Sequence, residues 1–144
     1  MDLVGTWHIL RRLETSITSI VKETIRIEEE NCFEENQCEL KGEIETTFLS
    51  TLTVKEIKGT SYPKDHFIRL SYQDRNPFAD ELTAIMEFDL FPGNPAPHRA
   101  MVGYYLIFNN TVAGPIWGDS YILEVTKRGM LTEAGRISAW PLNP

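Results

Sequence analysis

No run of the 144-residue chain approaches the ~20 consecutive apolar residues that a helix needs to cross a bilayer, so no membrane span is expected. The opening Met1-Asp2-Leu3-Val4-Gly5-Thr6-Trp7 has no basic stretch followed by an apolar one. Without that form of a secretory signal, a cytoplasmic protein is expected. Cysteine is scarce: Cys32 and Cys38 stand alone, with no third cysteine and no nearby histidine to complete a zinc set. His8, His66 and His98 lie far apart and none has metal-ligand spacing, so neither metal nor cofactor is expected. Glycines are scattered singly, which excludes a phosphate-cradling loop. Basic charge is in deficit, 14 Lys and Arg against 21 Asp and Glu, for a net charge of −7. That balance argues against a broad phosphate-tracking surface, so no DNA or RNA polymer is expected as a partner.

Much of the acidity is local. Glu28, Glu29, Glu30, Glu34, Glu35, Glu39, Glu43 and Glu45 crowd one segment that Lys41 alone relieves. A calcium loop relies on Asp, Asn and a mid-loop Gly, a pattern absent there, and a solvated hairpin is the simpler reading. A turn around Glu34-Glu35-Asn36 would set Cys32 and Cys38 face to face. A reducing cytoplasm keeps such thiols apart, and two free thiols are expected.

What the sequence does have is alternation with period two, the mark of half-buried strands. The clearest run puts Cys38, Leu40, Gly42, Ile44, Thr46, Phe48, Ser50, Leu52 and Val54 on one face and Glu39, Lys41, Glu43 and Glu45 on the other. At roughly 3.3 Å per residue it is too long for one small-domain strand, so a break is expected at Phe48 to Ser50. Further strands are expected over 4–13, 15–29, 66–73, 82–90, 99–108 and 116–126, separated by Gly59, Pro63, Asp74 to Pro77, Pro92-Gly93-Asn94-Pro95, Asn109-Asn110 and Gly114-Pro115. Segment 15–29 also fits a helical face, but its Thr and Ile content favours a strand. The sum is an all-β chain: one domain over 1–144, about eight antiparallel strands in an up-and-down barrel, and at most one short helix.

Strand parity then nominates the interior. It turns Thr46, Ser50, Tyr72, Trp117 and Asp119 inward, and with Tyr105 added these place hydroxyls and one carboxylate among aromatic walls, the mixture a small-molecule site needs. Asp119 stands on an apolar parity between Trp117 and Tyr121, where it must pair, with Arg69, Arg99 or Arg136, or be neutral. The large and small alternation of Leu40, Gly42, Ile44, Thr46, Phe48, Ser50 and Leu52 first fits the taper of a small barrel; read functionally, Gly42, Thr46 and Ser50 would leave room for a ligand. His66 shares parity with Ile68 and Leu70 and reads as a core histidine. No residue set forms a catalytic constellation: Gly118-Asp119-Ser120 resembles a hydrolase nucleophile motif, but every histidine lies upstream of it.

Gly5-Thr6-Trp7 at the head of the first strand resembles the Gly-x-Trp opening of the calycins, the lipocalin and fatty-acid-binding barrels. That resemblance implies a tryptophan closing one barrel end, with a C-terminal arginine, here Arg136, packed on it. A second resemblance rests on Leu70-Ser71-Tyr72, Asn76-Pro77, Phe88-Asp89-Leu90 and Gly103-Tyr104-Tyr105. These are similar to the β-barrel effector domain of bacterial cyclic-oligonucleotide anti-phage (antiviral defence) systems, in which two transmembrane helices precede the barrel. It implies an aromatic pocket for a nucleotide second messenger. Three functions are therefore open. The chain is a barrel that binds a small molecule, a filled barrel acting through an oligomer or partner interface on strand 99–108, or a barrel cyclase or isomerase using Asp119, a tyrosine and shape.

Overall fold

A computed structural model describes residues 3–13, 21–48, 50–75, 81–91, 100–114 and 129–141. Eight strands follow in order: β1 (Gly5–Leu13), β2 (Val21–Glu34), β3 (Gln37–Phe48), β4 (Thr51–Tyr62), β5 (Phe67–Arg75), β6 (Glu81–Phe91), β7 (Ala100–Ala113) and β8 (Gly129–Pro141). Each pairs antiparallel with the next, and β8 returns to β1 from Trp7↔Pro141 to Leu13↔Gly135, closing the barrel. Closure leaves no unpaired sheet edge. Among the described residues the one helical element is a 3-10 turn, Pro63–Asp65. The expected all-β, eight-stranded up-and-down barrel is the observed fold.

One continuous apolar cluster lies inside, running from Leu3, Trp7 and Ile9 through Ile25, Leu40 and Ile57 to Phe88, Met101 and Ile137. Trp7 is buried, and its indole Nε1 donates to the Leu3 carbonyl at 3.0 Å. Arg136 plays no part in this. It lies on the exposed parity of β8, in register with Arg12 and Tyr104, while Ile137 takes the inward place. The arginine-on-tryptophan packing implied by the calycin resemblance is therefore not made by Arg136.

Two local devices set which residues face inward. The first is the β3–β4 reversal, where Phe48 pairs with Thr51 and Ser50 is a turn residue. That odd-sum register moves the inward parity from even positions on β3 to odd positions on β4. Leu52 and Val54, expected inside, are consequently exposed by 59% and 48%, while Ile57 and Ser61 are buried. The second is a β-bulge on β2 between Ile27 and Glu29, which moves the inward parity from odd residues to even ones. Glu30 and Cys32 pair there with the inward Leu40 and Cys38. The cysteines are joined as a disulfide. This corrects the expectation of two free thiols: direct cross-strand register leaves their Cα atoms only 3.9 Å apart. The hairpin tip beyond them is held to the 3-10 turn. Asn36 Nδ2 donates to Asp65 at 3.0 Å, and the Lys64 N–H donates to Asn36 Oδ1 at 2.7 Å.

His66 is exposed rather than buried. It follows the 3-10 turn in the left-handed region, φ 50°, so β5 begins one residue later, at Phe67. The room expected at Gly42 is also absent. A Cβ there would run into the Arg26 carbonyl of β2, and the same holds for Gly59 against Arg69 and Gly103 against Glu87. These glycines let neighbouring backbones approach where the wall curves, and the side chains opposite them, Ile27, Leu70 and Phe88, are fully buried.

The outer wall is uneven. On β2 to β4 it is charged, with Arg26 bonded to Glu45 at 2.8 Å and Lys41, Glu56 and Lys58 exposed. An apolar inside with such an outside is the reverse of a barrel that faces lipid, and among the described residues no helix is long and apolar enough to cross a membrane. On β6 and β7, by contrast, both faces are buried in part: Ile85, Leu106 and Phe108 form a second, outer cluster with Leu131. This bears out the doubly apolar reading of strand 99–108 for its second half, whereas Val102 and Tyr104 remain exposed.

Candidate functional site

Four adjacent strands carry polar side chains into the barrel next to the apolar cluster. On β2, Glu23 lies one inward step beyond Ile25 and is buried. A carboxylate taken from water needs a partner, and the Thr46 hydroxyl of β3, directly opposite in register, donates to its Oε2 at 3.0 Å. On β4, Lys55 stands opposite the inward Ile44. Its ammonium lies 5.4 Å from the centre of the Tyr72 ring of β5, within cation–π range. Tyr72 is half-buried and packs against the inner cluster, which also contains the buried Tyr105 of β7. The neighbouring rows Tyr72↔Ala84↔Ile107 and Leu70↔Met86↔Tyr105 place Tyr72 and Tyr105 on the inner wall with β6 between them.

Of the six nominated residues, Thr46, Tyr72 and Tyr105 thus stand on the inner wall. Ser50 does not join them, because it lies exposed in the β3–β4 turn. Trp117 and Asp119 fall outside the described residues, as does the expected strand 116–126. Glu23 and Lys55 were not nominated. Glu23 gave the same signal as Asp119, a carboxylate on an apolar parity between Val21 and Ile25. Lys55 gave none, since reading Cys38 to Val54 as one even-parity face turns it outward.

No protein-family model, curated protein or solved structure matches this chain. Function must be argued from the barrel itself. The inner wall offers a carboxylate, a hydroxyl, an ammonium and a phenol beside an apolar floor. Such a set can orient a small molecule by its polar head while apolar walls hold the rest.

A separate polar group lies on the outer wall. Arg69 of β5 and Glu87 of β6, both largely buried, pair at 3.3 Å, and Tyr104 of β7 is in register with Glu87. The negative charge of Glu87, then burial, then its hydrogen bond with Glu87 raise the Tyr104 phenol above its ordinary 10.0. The folded chain holds this proton more tightly than the unfolded one. Its contribution to stability is therefore present below about pH 10 and is lost as pH rises through the folded value. A phenolate absorbance titration, with Tyr104→Phe as the difference reference, should place this residue above free tyrosine, and Glu87→Gln should bring it down. A midpoint at or below that of free tyrosine contradicts the arrangement.

Proposed function

We propose that this chain is a small-molecule-binding barrel whose site is the polar part of its interior, formed by Glu23, Thr46, Lys55 and Tyr72 with Tyr105 behind them. One observation carries the reading: a carboxylate, an ammonium and three hydroxyl-bearing residues stand on the inner wall beside the apolar cluster. Polar groups inside cost stability relative to well-packed apolar ones, and ligand orientation is a use that would retain them. Calycin kinship is consistent with the topology and the buried Trp7. A cyclic-nucleotide ligand is consistent with the two aromatic residues, Tyr72 and Tyr105, on the inner wall. The Cys32–Cys38 bridge is the form that an oxidising compartment maintains, so the cysteines lend no support to a cytoplasmic location.

The test is a thermal-shift screen with fatty acids, isoprenoids, cyclic dinucleotides and cyclic oligonucleotides. A ligand present at a hundred times its dissociation constant should add about 2.7 kcal/mol and raise the melting temperature. Lys55→Met and Tyr72→Leu should each remove that shift while leaving the unliganded protein folded. A shift that survives both variants places the ligand elsewhere.

A second reading is favoured by a different observation. Phe91, Val102, Tyr104, Trp140 and Leu10 are exposed by 40–54%, and the Val102↔Ser138↔Leu10 row joins them across β7, β8 and β1. An apolar surface of this kind suits self-association. On that reading, sedimentation should show an oligomer that Val102→Glu dissociates.

A further inference from the structure

We propose that the barrel end beside the β2–β3 hairpin holds a redox-gated site for a thiophilic divalent cation of the zinc class, with Cys32, Cys38 and Glu30 as its protein ligands. The two Sγ atoms and a carboxylate oxygen of Glu30 lie within 4.8 Å of one another. Composition alone excludes a zinc set here, because no third cysteine or histidine is near. The third ligand is supplied by the β2 bulge, which brings Glu30 and Cys32 onto the face shared by Leu40 and Cys38.

Glu30 is already fixed for this role. Its Oε1 accepts the Leu3 N–H at 3.1 Å and its Oε2 accepts the Ser61 hydroxyl at 3.1 Å. Each bond comes from a different strand or strand end, and each oxygen keeps a further lone pair. Cys38 is buried and Cys32 exposed, so one side of the cluster is closed by the core while the other admits an ion and a solvent ligand. The surrounding Glu28, Glu29, Glu34, Glu35 and Glu39 give the approach a negative field, which concentrates cations.

In the disulfide form neither sulfur is a thiolate, and the site is off. A dithiol reductant switches it on: the S–S bond breaks, two electrons and two protons pass to the cysteines, and the reductant leaves as its own disulfide. A divalent ion then binds both sulfurs and displaces the two protons to solvent. A small-molecule disulfide reverses the sequence: it takes two electrons from the thiolates and two protons from solvent and leaves as its dithiol, the Cys32–Cys38 bond re-forms, and the ion is released.

Cobalt(II) is the probe, since its thiolate bonds give a charge-transfer absorption that d¹⁰ zinc lacks. The full chain, reduced with a dithiol without oxygen and freed of reductant, should take up one Co²⁺ with that absorption, whereas the oxidised chain should show none. Cys32→Ser, at an exposed position and checked for strand content by circular dichroism, should lose the absorption. Glu30→Gln, which retains an acceptor for Leu3, should weaken Co²⁺ by about tenfold or more. A reduced chain without the absorption, an absorption that survives Cys32→Ser, equal uptake by the oxidised chain, or unweakened binding by Glu30→Gln each overturns the proposal.

Discussion

Replacing Trp7 by alanine should lower stability by about 3–5 kcal/mol, the range for truncating a core aromatic. The side chain is 1% exposed and lies in the inner cluster with Leu3, Ile25 and Ile27. Two losses combine. The cavity removes the contacts of a large ring, and the Leu3 carbonyl, which is buried, loses the indole N–H that satisfies it. Trp7→Phe separates them, because it keeps most of the bulk and gives up only the hydrogen bond. It should therefore cost clearly less than alanine. Denaturant melts of both variants check the order, and an unchanged midpoint for Trp7→Ala would show that the ring is not a core anchor.

Gly42→Ala should also be strongly destabilising, by about 1–3 kcal/mol or more, although alanine is the smallest change available. The added methyl group would meet the Arg26 carbonyl and lie within 3.0 Å of the Ile27 Cα, both backbone atoms of β2. Backbone cannot rotate aside as a side chain can, so the β2–β3 ladder has to open beside its bulge. Glu39→Ala, on the exposed face of the same strand, serves as the control and should stay within about 0.5 kcal/mol. Equal melting temperatures for the two variants would show that the wall does not need the glycine for its curvature.

The fold was largely legible because period-two alternation is a strong signal over β3, β5 and β6, and β7 reads as a strand apolar on both faces. Its failures have local causes. The bulge at Ile27/Glu29 and the parity change at Ser50 each reverse the inward face, and neither leaves a mark in hydrophobicity. The strand β8 escaped notice because its inward residues include Glu133 and Gly135, so the alternation is weak. His66 was misplaced by one residue, since left-handed geometry after Pro63–Asp65 lets β5 start at Phe67. The site followed the same pattern. Thr46 and Tyr72 are legible through parity, because the register around each is regular, while parity carried across a turn hides Lys55. Glu30 and the disulfide partners came together through a bulge.

The most direct test of the proposed inner site is amide chemical-shift mapping of the protein with the most stabilising ligand from the thermal-shift screen. Binding inside the barrel predicts the largest changes at Thr46, Lys55, Tyr72 and Tyr105, on the inner positions of β3, β4, β5 and β7. Changes confined to Val102, Tyr104 and Trp140 on the outer wall, with the inner positions unmoved, would contradict it.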